Sequence, residues 1–145
     1  MRLSEHFTLE ELTFSQFASR RGINNDPSLA IITALTDLCT TLLEPARALF
    51  DQPFHVDSGY RSDALNAAVG GSATSEHMLG HAADVIPQGV TLQQAFDTIR
   101  LSNLPYDQVI IECNAWIHLG MSAIPRRQAL TASGSPGHWS YNLVS

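Results

Sequence analysis

The chain has 145 residues, 44% hydrophobic and 15% charged, which is enough apolar material for one sizeable core, and a single domain over residues 1–145 is expected. Fourteen acidic residues face eight basic ones, all arginine; with a net charge of -6 and no basic stripe to track a phosphate backbone, nucleic acid is not an expected partner. No run of 18 apolar residues occurs and residues 1–11 are polar, so neither a membrane partner nor a secretory signal peptide is expected, and synthesis in the cytoplasm is.

Residues 8–12 read TLEEL, and Thr8 with Glu11 three positions on is the pattern that caps a helix start, here a short helix bearing Leu9 and Leu12. Asn25-Asp26-Pro27 opens the main core helix, in which Leu29, Ile32, Leu35, Leu38, Leu42 and Leu49 recur at helical spacing. A kink or restart is expected near Glu44, because Pro45 has no amide hydrogen to give to the helix. Residues 53–56 read as a strand ending in the turn Asp57-Ser58-Gly59, and residues 63–69 as a short helix stopped by Gly70-Gly71. Residues 82–86 form another short strand. Thr91 caps a helix carrying Leu92, Ala95, Phe96 and Ile99, which ends at Leu104-Pro105. The apolar runs 108–111 and 116–121, joined by residues 112–115, predict a β-hairpin, whereas 131–137 (TASGSPG) read as a loop or loose tail. Helices early and short strands late predict an α+β fold with a small, mostly antiparallel sheet and helices packed on it.

Three places carry chemistry. In residues 75–84 (SEHMLGHAAD) imidazole and carboxylate groups lie close together, a donor set that suits zinc. His77 and His81 are four apart and would share a helix face, but Gly80 lies between them and a strand follows, so His77 with Asp84 is the preferred pair. In the hairpin, Glu112 and His118 can supply a third ligand and the carboxylate that a zinc hydrolase needs outside the ligand set. Arg61, thrown into the open by the turn that follows the strand at residues 57–59, could hold a substrate carboxylate or an oxyanion beside a metal. Each of these groups alone would also serve as an ordinary surface or strand-end residue. Cys39 and Cys113 are far apart and match no CxxC pattern, which argues against a disulfide framework and a thiolate zinc knuckle.

Ser75-x-His77-x-x-Gly80-x-Ala82-x-Asp84, preceded by Ser58-Gly59-Tyr60-Arg61-Ser62 and followed by Glu112 and Trp116-Ile117-His118, resembles the zinc D-Ala-D-Ala carboxypeptidase family of peptidoglycan peptidases. The similarity runs from about Phe7 to Leu130 and is greatest to the compact branch found in phages and bacteria. The resemblance implies the hedgehog/DD-peptidase fold, with zinc held by His77, Asp84 and His118, Glu112 as acid/base, Arg61 steadying the oxyanion or substrate carbonyl, and Ser75 at the substrate groove. His81 falls on a variable position and becomes a neighbour of the site; Cys113 is expected to be buried and inert, and His6, His55 and His138 structural or exposed. The implied substrate is the peptidoglycan stem peptide, acted on by a monomer. With no signal peptide in view, the expectation is an endolysin-type endopeptidase of a phage or prophage, reaching the wall after holin-mediated release. The alternatives are a D-Ala-D-Ala carboxypeptidase and a non-catalytic zinc-stabilised binding module, and Glu112 argues against the second because such a module has no use for a carboxylate beside an open metal position.

Overall fold

The computed structural model describes residues 1–135 and 137–144. At its start Thr8 caps helix α1 (Leu9–Thr13): its hydroxyl accepts the Glu11 amide, and the Glu11 carboxylate accepts the Thr8 amide in return. Helix α2 (Gln16–Arg21) has no counterpart in the sequence reading. Six residues without an apolar period give little signal beyond their caps, Ser15 and a left-handed Gly22.

The long core helix begins as α3 (Leu29–Leu38) behind the Ser28 cap and runs through a wide π turn, Cys39–Leu43, into α4 (Glu44–Ala48). The expected kink or restart near Glu44 is met: the α-helix resumes at Glu44, after a widened turn just upstream. Pro45 has no amide to donate and its ring crowds the carbonyl four residues back; an extra residue in the preceding turn relieves both. Over Leu29–Ala48 the helix has the length and mean hydropathy, 1.4, of a membrane-crossing segment. Its apolar stripe is spent inside the domain, where Leu35, Leu38, Cys39, Leu42, Leu43 and Ala46 are completely buried.

One sheet organises the rest. Its strands are β1 (Phe54–Ser58), β2 (Ala82–Pro87), β3 (Gln108–Glu112), β4 (Trp116–Gly120), β5 (Gln128–Ser135) and β6 (His138–Leu143), in the order β1-β2-β4-β3-β5-β6. Every neighbouring pair is antiparallel except β3 with β5. The architecture is therefore the expected α+β with a mostly antiparallel sheet, larger than anticipated because residues 131–137 were read as a loop or tail. Residues 131–135 instead complete β5, which lies parallel to β3 with Ile110 beside Leu130 and Glu112 beside Ala132, while Pro136 lies outside the described residues. Small and polar residues show no alternation of their own; the open edge of β3 offers them backbone partners and so imposes the strand.

Strand alternation then separates two faces. Ala83 and Val85 of β2, Val109 and Ile111 of β3, and Ile117 and Leu119 of β4 enter the core with α3, π turn and helix α6 (Leu92–Arg100), capped by Thr91 as expected. The intervening residues, Asp84, Ile110, Glu112 and His118, face the other way. Helix α5 (Asp63–Ala68) and a tight 3-10 turn, Glu76–Leu79, border that second face.

Candidate active site

Asp84 and His118 are directly opposite each other on β2 and β4, the closest placement that two neighbouring strands allow for side chains of one face. His118 Nδ1 lies 3.1 Å from Asp84 Oδ1. The third member arrives from outside the sheet. Ser75 accepts the His77 amide and starts the 3-10 turn, which ends at Gly80 in left-handed backbone, and this turn carries the His77 ring over β2 with Nε2 3.2 Å from the same Asp84 oxygen. His81 falls beyond the turn. Its carbonyl accepts the Met121 amide, and its side chain neither joins the cluster nor lines the cleft.

Gly59 makes the closing contact possible. Its carbonyl accepts from His77 Nδ1 at 2.7 Å, fixing the tautomer so that Nε2 is free toward the cluster. A side chain at Gly59 would overlap the Leu12 backbone, whose carbonyl accepts the Tyr60 amide at 2.7 Å. Here α1 and the end of β1 touch backbone to backbone, which only glycine permits.

His77, Asp84 and His118 are all buried and offer ligand atoms within 4.8 Å of one another. The set fits zinc: ligands 2.0–2.1 Å from a common tetrahedral centre lie about 3.3 Å apart, close to the two imidazole to Asp84 separations of 3.2 and 3.1 Å. The electrostatics point the same way. Burial lowers the His77 pKa below its ordinary value. Burial alone would raise the Asp84 carboxyl, but the charge and hydrogen bonds of the two imidazoles hold it well below the usual carboxylate range. Burial also opposes the His118 cation, yet its bond to Asp84 and the nearby Glu76 and Glu112 carboxylates push its pKa up to about 10 in the metal-free protein. A cation bound among the three would replace that proton.

Glu112, at the end of β3, stands across from this group with Oε1 3.6 Å from His118 Nδ1. Burial and then the Asp84 charge raise its pKa above the ordinary carboxylate value. Arg61 is not thrown into the open as the sequence reading has it. Its side chain is only 17% exposed and is held at three points: Ser58 Oγ at 3.2 Å, Asn66 Oδ1 at 3.3 Å and Asp84 Oδ2 at 3.4 Å. The strand β1 continues through Ser58, so the expected turn comes later, and the guanidinium folds back onto the cluster. Cys113 is likewise corrected, from buried to exposed: with a φ of +51° it occupies the turn after β3, outside the sheet's core face.

All six singled-out residues, Arg61, Ser75, His77, Asp84, Glu112 and His118, line one cleft of about 690 Å³. It crosses the sheet from Asp57 and Ser58 on β1 to Trp139 and Tyr141 on β6, with the cluster on β2 and β4 between the two ends. Sequence reasoning missed Asn66, which anchors Arg61 while its own amide donates to the Ser72 carbonyl at 2.8 Å. It missed Glu76, beside His118, and the β6 aromatics. Nothing in an isolated asparagine or in a polar tail distinguishes such residues from surface ones.

Residues 5–120 match the model of the family described as Peptidase M15. A curated relative, the zinc D-Ala-D-Ala carboxypeptidase of Streptomyces albus G, is 37% identical over 75 residues, covering 48% of this chain and 29% of the relative. The matched segment is thus under a third of that relative's length. With the family match extending over the core helix, both histidines and the carboxylates between them, the chain is a member of the peptidase M15 family.

Proposed function

We propose that this chain is a zinc-dependent peptidoglycan peptidase that hydrolyses a stem-peptide bond by metal-activated water, of the endolysin endopeptidase type. The observation that carries the reading is the convergence of two buried imidazoles on one Asp84 oxygen, with Glu112 at 3.6 Å from His118 and outside that ligand set. Zinc, when bound by His77, Asp84 and His118, supplies Lewis acidity and brings the pKa of a bound water from 15.7 toward about 7. Glu112 is placed to take the proton of an attacking water and to return it to the leaving amine, and its raised pKa suits both halves of that task. Arg61, held by Ser58 and Asn66, presents a fixed positive charge at which a carbonyl oxygen gaining negative charge is stabilised. Its orientation precedes substrate binding, so no ordering of a flexible side chain opposes the reaction.

The endopeptidase assignment is supported by the cleft, which extends to both sides of the cluster across all six strands and so accommodates chain before and after the bond to be cut. Trp139 and Tyr141 give one side an aromatic wall. The test is digestion of purified peptidoglycan followed by mass spectrometry. Monomers released from crosslinked dimers, or a new amino terminus on D-Glu, are the expected products, abolished by chelation. Free D-Ala alone would reassign the enzyme as a carboxypeptidase, the activity named for the Streptomyces albus G relative. Reducing sugars with intact stems would overturn the peptidase reading.

A further inference from the structure

The second carboxylate beside the cluster, Glu76, has no task in the chemistry above. Its Oε1 atom is buried without a hydrogen-bond partner, an arrangement that costs free energy unless something repays it. The single basic nitrogen within 4.0 Å of that carboxylate among the described residues is Nε2 of His118, at 3.7 Å. The other ring nitrogen of His118 is turned toward Asp84 and Glu112. Once Nδ1 serves as a ligand it carries no proton, and the ring's one remaining N–H, at Nε2, points at Glu76.

The backbone is shaped to admit this carboxylate. Gly120 ends β4, two residues after His118 on the same strand face, and a Cβ at that position would overlap Glu76 Oε1. The 3-10 turn that delivers His77 therefore also delivers Glu76, from the adjacent position, into a notch left open by a glycine.

We propose that Glu76 is a positioning residue for the metal centre, accepting the Nε2 proton of His118 and thereby fixing the tautomer and orientation in which Nδ1 binds zinc. The inference rests on the zinc reading above. A carboxylate behind a ligating imidazole raises its basicity, and losing such a partner typically weakens metal binding by about 10- to 100-fold. As a positioning residue, Glu76 acts through His118 and the metal.

The test is a competition titration of zinc against a chromophoric chelator, using the full chain and its variants, with circular dichroism of the metal-free forms as the folding check. Glu76→Ala is expected to bind zinc about 10- to 100-fold more weakly than wild type. Glu76→Gln, which keeps an acceptor oxygen but not the charge, should fall between the two, and Gly120→Ala, which removes no polar group, should weaken binding by displacing the carboxylate. The visible spectrum of the cobalt-substituted Glu76→Gln protein should shift relative to wild type, a change that a purely structural role would not produce. Glu76→Ala and Glu76→Gln proteins that both bind zinc within twofold of wild type overturn the proposal. Should Glu76→Ala fail to fold, Glu76→Gln decides alone: unchanged affinity together with an unchanged cobalt spectrum overturns it. A wild-type chain that binds no zinc sinks the enzyme reading itself, an outcome distinct from these.

Discussion

At the scale of single residues, the cleft divides work that a list of polar side chains would blur. His77 and His118 hold their positions because each ring has one nitrogen on the cluster and the other facing an oxygen, the Gly59 carbonyl in one case and the Glu76 carboxylate in the other. His77→Ala and His118→Ala are therefore expected to lose zinc, read by metal analysis after gel filtration, whereas His81→Ala should keep about one zinc per chain. Glu112→Gln should keep both fold and zinc and lose about 100- to 10,000-fold in peptide hydrolysis, because one carboxylate serves proton removal and proton return. Activity within a few-fold of wild type in the zinc-loaded variant would move the acid/base role elsewhere. These residues could be singled out from the sequence by their chemistry and spacing. The anchoring of Arg61 by Asn66 could not, because an asparagine in a helix has no periodic or compositional mark of its contacts.

At the scale of elements, β2 and β4 act as a rigid frame and the 3-10 turn as the piece that completes it. Asp84 and His118 are paired by register, so a one-residue slip of either strand would turn that strand's member of the pair toward the core and break the pairing. Register also places β6 in the site. Glu112 pairs with Ala132 and Ala132 with Tyr141, so the Tyr141 ring rises on the same face as Glu112 with only a methyl group between them. Burial and the nearby Glu112 and Asp84 charges raise the Tyr141 pKa, in keeping with a hydroxyl that stays protonated above the site. Tyr141→Ala is expected to raise KM several-fold in steady-state assays while leaving zinc content unchanged, since β6 supplies a wall and no ligand. In the core helix, Leu42 is completely buried in the π turn against the sheet. Leu42→Ala should cost about 2–5 kcal/mol of stability, measured by chemical denaturation.

At the scale of the whole molecule, stability depends on pH through the ion pair of Asp107 with Arg126, which lines the cleft. Asp107 is 1% exposed, and Arg126 bonds its two oxygens at 3.0 and 2.7 Å while also donating its backbone amide at 2.9 Å. Those bonds outweigh burial and hold the Asp107 carboxyl below the usual carboxylate range. A folded-state pKa below the unfolded value of about 3.9 means that this contribution is complete above that value and is lost as pH falls through the folded pKa. Arg126→Ala should therefore show a shallower loss of stability between about pH 4 and the acid limit, followed by denaturant midpoints across pH. Zinc should act in the same sense at the other site: because its ligands must be free of protons, binding weakens as pH drops, and chelation should lower the melting temperature.

Locally encoded features were legible from the residues alone: the Thr8 and Thr91 caps, the apolar stripe of the core helix, the alternation in β3 and β4, and the five motif positions from Ser75 to Asp84. Each depends on side chains within about one or two turns of one another, so spacing alone carries the information. Only the tertiary structure decided the rest. Residues 128–135 become a strand because β3 has a free edge, Pro45 is accommodated by a π turn because the core requires the helix to continue, and Arg61 folds inward because Asn66, Ser58 and Asp84 await it. Those outcomes depend on groups supplied by other segments, among them an open row of backbone donors and a carboxylate 23 residues away along the chain from Arg61, and such pairings leave no period in the sequence from which they come.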